Sequence, residues 1–154
     1  MRPLLQWLGL AFAPAAIGLP FTIRAPQYYR RLDKPGWSPP SGAFGPVWSV
    51  LYVLMGVAAW LVSQSPSRGD GRRTALRLFG VQLVLNAAWT PIFFGLRRPG
   101  LALAEIVATL AAIAATTTAF FRQRPLAGVL LLPYLAWVGF ATALNAAIWR
   151  RNRD

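Results

Sequence analysis

Five long apolar stretches, separated by short groups of polar and basic residues, dominate the sequence. Each stretch is about 20 residues long or more, the length of helix that crosses the roughly 30 Å hydrocarbon core of a bilayer. The pattern therefore predicts an all-α membrane protein, a bundle of five transmembrane helices that forms one integral membrane domain over residues 1–154. The predicted helices cover about residues 4–23, 44–63, 76–95, 101–121 and 126–149.

The connections between these stretches differ in length and character. Residues Arg24–Ala43 form the only long connection and contain four prolines, two tyrosines and Trp37. A connection of this length in a small domain is usually functional or disordered, and its aromatic residues favour an ordered loop folded over one membrane face. Residues Ser65–Thr74 are polar and predict a solvated loop. Arg97–Gly100 and Arg122–Pro125 predict tight turns, which make the last three helices antiparallel neighbours.

Composition and charge support an integral multi-pass membrane protein. Hydrophobic residues make up 56% of the chain, charged residues only 13%, and the mean hydropathy is +0.45. The net charge of +12 comes from basic groups at the ends of the apolar stretches, where they anchor helices at lipid headgroups. Nucleic-acid binding needs a continuous basic face instead, so we expect no nucleic-acid partner. Nine of the sixteen Lys and Arg residues lie on the C-terminal side, which predicts a cytoplasmic C-terminus; we expect a bacterial membrane.

The inventory of reactive groups is short. The chain has no histidine and no cysteine, which excludes imidazole bases, thiolate nucleophiles and most transition-metal sites. We therefore expect no metal site and no required cofactor. Glu105 is the one carboxylate inside an apolar stretch, where a charge costs roughly 2.5–3.5 kcal/mol at mid-bilayer. Because it lies one turn inside the fourth helix, near Arg97 and Arg98, an interfacial ion pair or a capping role is favoured over a polar lining or a proton-linked role.

Three amides lie deep inside the apolar stretches. Gln82 and Asn86 are four residues apart and so share one face of the third helix, and Asn145 lies in the fifth. Amides in hydrocarbon need hydrogen-bond partners, which other helices or a ligand can provide. Both uses require these side chains to face inward.

Aromatic rings and prolines accompany these amides. Trp48 and Trp137 lie too deep in their stretches to belong to an interfacial aromatic belt. Pro91 and Pro133 interrupt helical hydrogen bonding, which is tolerated where a cavity or a neighbouring helix compensates. Rings, amides and prolines together predict a cavity between helices for a flat apolar ligand.

Several ordered motifs lie in the long loop and in the second, third and fifth helices. They are Lys34-Pro35-Gly36-Trp37-Ser38-Pro39-Pro40, Phe44-Gly45-Pro46-Val47-Trp48-Ser49-Val50-Leu51-Tyr52, Gln82 to Asn86, Trp89-Thr90-Pro91-Ile92-Phe93-Phe94-Gly95, and Pro133-Tyr134-Leu135-Ala136-Trp137 through Ala141-Thr142-Ala143-Leu144-Asn145. Together they resemble the tryptophan-rich sensory protein/translocator protein (TspO/MBR, peripheral benzodiazepine receptor) family. The similarity runs from the first helix to Arg150.

The resemblance implies a five-helix bundle, commonly a homodimer, with a ligand cavity closed by the loop between helices one and two. Ligands in the family include porphyrins such as protoporphyrin IX, sterols in eukaryotic members, and isoquinoline or benzodiazepine drugs. The matching ligand-binding positions are Trp37, Trp48, Tyr52, Asn86, Trp89, Phe93, Trp137, Phe140, Ala141 and Leu144.

Two departures limit what the resemblance implies. Ala146 occupies the position where the sterol-recognition stretch normally carries a tyrosine, so we do not expect specific sterol binding. Gly36 stands where some bacterial relatives carry a second tryptophan, which removes one lid contact.

Four functions are compatible with these features. The favoured one is a membrane receptor or sensor that binds tetrapyrroles and modulates their transport, level or signalling. Its loop arginines Arg24, Arg30 or Arg31 would meet the porphyrin propionates. The alternatives are a light- and oxygen-dependent porphyrin-degrading enzyme with Trp48 and Trp137 as candidate catalytic residues, a proton-coupled exporter that uses Glu105, and a scaffold whose aromatic residues only pack.

Overall fold

Six α-helices make up most of the structure, a computed structural model that describes residues 2–66 and 69–153. The two ends of the predicted domain, residues 1 and 154, and residues 67 and 68 lie outside this description. Five of the helices are long and apolar enough to cross a membrane, which confirms the predicted five-helix membrane bundle. The helices are α1 Arg2–Thr22, α2 Ala25–Arg31, α3 Phe44–Ser63, α4 Asp70–Thr90, α5 Pro99–Gln123 and α6 Pro125–Arg151, with a 3₁₀ turn at Ser41–Ala43 and a π turn at Pro91–Gly95.

The five long helices pack as a ring in the order α1, α3, α6, α5, α4. Helix α1 contacts α3 and α4, α6 contacts α3 and α5, and α5 contacts α4, which closes the ring. The chain direction alternates, so one membrane face carries the connection from α1 to α3, the connection from α4 to α5 and the C-terminal end of α6. We call this face the loop side.

The interior of the ring is filled with apolar side chains away from the loop side. Met55, Phe79, Phe120 and Leu131 come from four different helices and are almost completely buried. The rings of Phe79 and Phe120 stack with centroids 5.8 Å apart. This half is closely packed, and a cavity between the helices lies in the half that faces the loop side.

The long connection contains a helix that the sequence did not predict. Helix α2 has Pro26 in its first turn. The N–H groups of a first turn make no helical hydrogen bonds, so the missing N–H group of proline costs none there. The Tyr29 hydroxyl donates to the carbonyl of Pro39 at 2.9 Å, and the Lys34 amino group donates to the carbonyl of Tyr29 at 2.6 Å. These bonds fold the connection onto itself as an ordered element. Seven residues are too few to show a helical period.

Several helix boundaries differ from the predicted ones, most of all at the two ends of α4. Helix α4 begins at Asp70 rather than near residue 76, so residues 70–74, predicted as solvated loop, extend the helix as a polar first turn. At its other end α4 gives way to the π turn, because Pro91 has no N–H for the helical ladder; Leu96 N–H donates to Pro91 O at 2.8 Å. Helices α5 and α6 begin slightly earlier than predicted, each at a proline.

Helix α1 approaches α3 closely at a glycine. A Cβ atom built on Gly56 would lie 2.9 Å from Leu8 Cα, a separation that only a backbone shift can relieve. Gly80 lies inside α4 in a comparable helical setting, and a Cβ atom there would meet nothing within 4 Å. Gly56 therefore sets the distance between α1 and α3, as small residues do at helix contacts in membranes.

We predict that Gly56→Ala lowers the free energy of unfolding by about 1–3 kcal/mol, because the added methyl group forces α1 away from α3. Gly80→Ala is the matched control and should be neutral or stabilising by up to about 1 kcal/mol, since alanine favours helix. Denaturant unfolding of both variants in the same detergent measures the difference. Equal effects of the two substitutions would contradict the close contact at Gly56.

Candidate ligand cavity

A cavity of about 420 Å³ occupies the loop-side half of the ring. All five long helices contribute to its walls, and residues of α2 cover it from the loop side. Eight of the ten predicted ligand-binding residues line it: Trp48, Tyr52, Asn86, Trp89, Phe93, Trp137, Ala141 and Leu144.

The other two predicted residues, Trp37 and Phe140, lie outside the lining. Their rings pack edge to face with centroids 5.6 Å apart, and Phe140 packs against Trp137 at 5.5 Å. Trp37 is 51% exposed. The pair therefore supports the lining residue Trp137 from behind.

A hydrogen-bonded cluster forms the floor of the cavity in the middle of the bundle. Asn86 Nδ2 donates to Tyr134 Oη at 2.7 Å, and Tyr134 Oη donates to Gln82 Oε1 at 2.6 Å. Tyr52 Oη lies 3.4 Å from Asn86 Oδ1 and donates to it. All four residues are buried. Gln82 therefore joins helices through its hydrogen bond, whereas Asn86 joins helices and also lines the cavity.

The side-chain amide of Asn145 fixes the cavity wall near the π turn. Trp89 Nε1 donates to Asn145 Oδ1 at 3.0 Å, and Asn145 Nδ2 donates to the carbonyl of Pro99 at 2.8 Å. The Trp89 ring stacks on Phe93 with centroids 4.8 Å apart and an interplanar angle of 21°. Asn145 thus holds the end of α4 against the start of α5 and sets the orientation of the indole ring.

Two further tryptophans line the cavity from α3 and α6. The ring of Trp48 lies 5.4 Å from that of Tyr52 and 6.1 Å, edge to face, from that of Tyr134. The indole nitrogen of Trp137 is buried and has no hydrogen-bond partner among the described residues. The cavity therefore offers aromatic surfaces from three helices, with few polar groups between them.

The roof is formed by α2. Ala25, Pro26 and Tyr29 line the cavity, and the Lys34 amino group lies 4.8 Å from the centroid of the Tyr29 ring. Burial raises the pKa of the Tyr29 phenol above its ordinary value, which further favours the neutral hydroxyl that donates to Pro39.

The cavity opens sideways between α1 and α3, near the loop side. Leu19 is 65% exposed, and Thr22, Gly45 and Ser49 are also exposed, although all four line the cavity. None of the described lining residues is charged. The loop arginines predicted to meet propionates are therefore outside the lining, but Arg24 lies between two residues that belong to it, Thr22 and Ala25.

Glu105 does not make the predicted ion pair. Its Oε1 accepts a hydrogen bond from Thr109 Oγ1 at 2.7 Å, and Thr109 lines the cavity. Arg97 lies instead over the ring of Tyr28, 5.4 Å from its centroid. Glu105 lies six residues after the first residue of α5, and its carboxylate bonds within its own helix. A polar or proton-linked role for Glu105 remains a prediction.

Several lining residues were missed by the sequence analysis. Phe12 and Gly18 come from α1, Tyr29 and Phe44 from the region of the loop, and Thr109 from α5. Thr109 had a detectable signal, because it lies four residues after Glu105 and shares its helical face. The others depend on the packing of α1 and α2, which no sequence period indicates.

Comparisons with known proteins agree with this architecture. A sequence model described as the TspO/MBR family matches residues 6–150. The chain is 45% identical to the human translocator protein over 127 residues, 82% of this chain and 75% of that protein. It is 40% identical to the tryptophan-rich sensory protein of Cereibacter sphaeroides over 148 residues, 96% of this chain and 90% of that protein.

We predict that Tyr134→Phe destabilises the protein by about 1–2 kcal/mol, because it removes the partner of both Gln82 Oε1 and Asn86 Nδ2 in an apolar environment. Tyr28→Phe is the matched control. The Tyr28 hydroxyl makes no hydrogen bond within the described residues, so a change below about 0.5 kcal/mol is expected. Thermal unfolding in detergent measures both, and a loss of equal size would contradict the role of the Tyr134 hydroxyl.

Proposed function

The chain belongs to the TspO/MBR family of integral multi-pass membrane proteins, and from this we propose that it is a membrane receptor or sensor for tetrapyrroles. The proposed ligand is a flat porphyrin of the protoporphyrin IX type, held in the cavity between the helices. Binding would modulate the transport, level or signalling of that ligand. Two relatives are named a translocator protein and a tryptophan-rich sensory protein, and these names accord with such a role.

The observation that carries the proposal is the set of aromatic surfaces around the cavity. Trp48, Trp89 and Trp137 line it from three different helices, and a macrocycle offers a large π face for such rings to contact. The orientation of Trp89 is fixed by Asn145 before any ligand arrives. A rigid aromatic wall favours a flat, rigid ligand over a flexible one, because little side-chain ordering is needed on binding.

The lateral opening suits the charged edge of the same ligand. Porphyrin propionates are anionic and avoid an apolar interior, whereas the opening lies near the loop side, where water and headgroups are available. Arg24 joins the end of α1 to the start of α2 at this opening. The macrocycle would therefore enter the cavity first and leave its propionates near Arg24.

The remaining features of the proposal rest on the composition and on the family resemblance. With no histidine in the chain, no imidazole is available to ligate a haem iron, so a metal-free porphyrin fits better and no resident cofactor is required. We further propose a homodimer in a bacterial membrane with the C-terminus in the cytoplasm. Specific sterol binding is not part of the proposal, because Ala146 replaces the tyrosine of the sterol-recognition stretch.

We predict saturable quenching of tryptophan fluorescence when protoporphyrin IX is titrated into the purified protein in the dark. Trp48→Phe and Trp137→Phe should each raise the dissociation constant roughly two- to ten-fold, through loss of aromatic contact. Trp60→Phe is the matched control, because Trp60 lies near the opposite end of α3 and outside the cavity lining; its dissociation constant should be unchanged.

Two outcomes of this titration would change the assignment. Quenching that does not saturate, or that is equal in all three variants, would contradict a porphyrin site in the cavity. Illumination of the same samples separates binding from destruction. A light- and oxygen-dependent loss of the porphyrin spectrum that disappears in Trp48→Phe or Trp137→Phe would assign porphyrin degradation instead.

We also predict that Arg24→Gln weakens protoporphyrin IX binding by roughly two- to five-fold, because an exposed charge pair contributes up to about 1 kcal/mol. The dimethyl ester of the same porphyrin lacks the anionic groups, so its affinity should not change. Arg73→Gln, an exposed arginine on the opposite side of the bundle, controls for net charge. An equal loss for the acid and its ester would show that Arg24 acts on the fold and not on the propionates.

A further inference from the structure

An open cleft lies on the outer surface at the loop side, between the start of α5 and the end of α6. Its walls include Arg98, Leu101 and Ala104 from α5 and its N-terminal flank, and Trp149 and Arg153 from α6 and its C-terminal flank. None of its described lining residues also lines the porphyrin cavity. The cleft is therefore a separate surface feature.

Both ends of the cleft carry positive charge. The Arg153 guanidinium lies 4.7 Å from the centroid of the Trp149 ring, and Arg98 lines the same cleft from the N-terminal flank of α5. Within the described residues, neither arginine forms an ion pair; the ion pair recorded there joins Arg151 to Asp33. Within that part of the chain, both guanidinium groups therefore retain donors for a planar or tetrahedral anion.

The back wall of the cleft is rigid because Trp149 packs directly on Gly100. A Cβ atom on Gly100 would lie 2.6 Å from Trp149 Nε1, so the indole ring reaches the backbone of α5 only because this residue has no side chain. The ring in turn supports Arg153 by a cation–π contact. Tryptophan at this depth is typical of the membrane interface.

The cleft continues into an apolar surface toward the bilayer. Leu101 is 47% exposed and Ala104 is also exposed, about one turn farther along α5. The cleft carries positive charge at headgroup level and an apolar strip directly below it. This arrangement complements a phospholipid, which has a charged headgroup and apolar chains, better than it complements a soluble anion. Basic pockets between membrane helices are typical sites for anionic lipid headgroups.

We propose that this cleft binds an anionic phospholipid. Arg98 and Arg153 contact the headgroup phosphate, and one acyl chain lies along Leu101 and Ala104. The proposal does not depend on the porphyrin cavity or on its ligand.

Native mass spectrometry of the detergent-solubilised full chain tests the proposal, with short-chain phosphatidylglycerol and phosphatidylcholine as probes. The test variant is Arg98→Gln with Arg153→Gln. The matched control is Arg73→Gln with Arg77→Gln, which removes the same charge from exposed positions on the opposite side. We expect wild type and the control to bind phosphatidylglycerol equally and the test variant to bind it about ten-fold more weakly.

Two further measurements make the result specific. Replacing both arginines by lysine keeps the charge and should restore most of the affinity, which separates headgroup binding from misfolding. Inorganic phosphate and glycerol phosphate, which lack acyl chains, should compete poorly. Equal phosphatidylglycerol binding by the test variant and wild type, an equal loss in the control variant, or no recovery with lysine would overturn the proposal. Phosphate competing as well as the lipid would assign the cleft to a soluble anion instead.

Discussion

The hydroxyl group of Tyr134 makes the interaction on which the arrangement of the bundle depends. Hydrocarbon offers no hydrogen-bond partners, so a polar group inside the ring is costly unless it finds a partner within the protein. Tyr134 on α6 satisfies both Gln82 and Asn86 on α4, two helices that are not neighbours in the ring. This bond across the interior fixes the rotation of α4 and α6 about their axes and divides the ring into a packed half and an open half.

The properties of the cavity follow from that division. Its floor is a polar cluster whose members already have partners, so they need no ligand to be stable. Its wall is oriented by Asn145, which connects Trp89 to the carbonyl of Pro99. The π turn that begins at Pro91 then places Phe93 against Trp89. The aromatic surfaces are thus held by hydrogen bonds and backbone geometry, and such preorganisation reduces the entropy lost when a rigid ligand binds.

Much of the fold and of the cavity lining could be predicted from the sequence. Physical reasons explain why the rest could not. Length and hydropathy identify the five spans, and four-residue spacing places Gln82 and Asn86 on one inward face. The order of helices around the ring has no such signal, because lipid and protein interior are both apolar and the helices are only weakly amphipathic. Trp37 belongs to a motif that the sequence analysis identified. Its position nevertheless depends on the unpredicted helix α2, which turns the chain so that the Trp37 ring packs on Phe140.

The first turn of α5 lines the basic cleft and also holds one wall of the cavity through its hydrogen bond with Asn145. On the inner side, the carbonyl of Pro99 accepts the hydrogen bond of Asn145, which orients Trp89. On the outer side, Pro99 lines the cleft beside Arg98 and Gly100. A shift of this turn would therefore alter both the orientation of Trp89 and the wall of the cleft. Any such coupling must be reciprocal, so a lipid that tightened porphyrin binding would itself be held more tightly when porphyrin is bound.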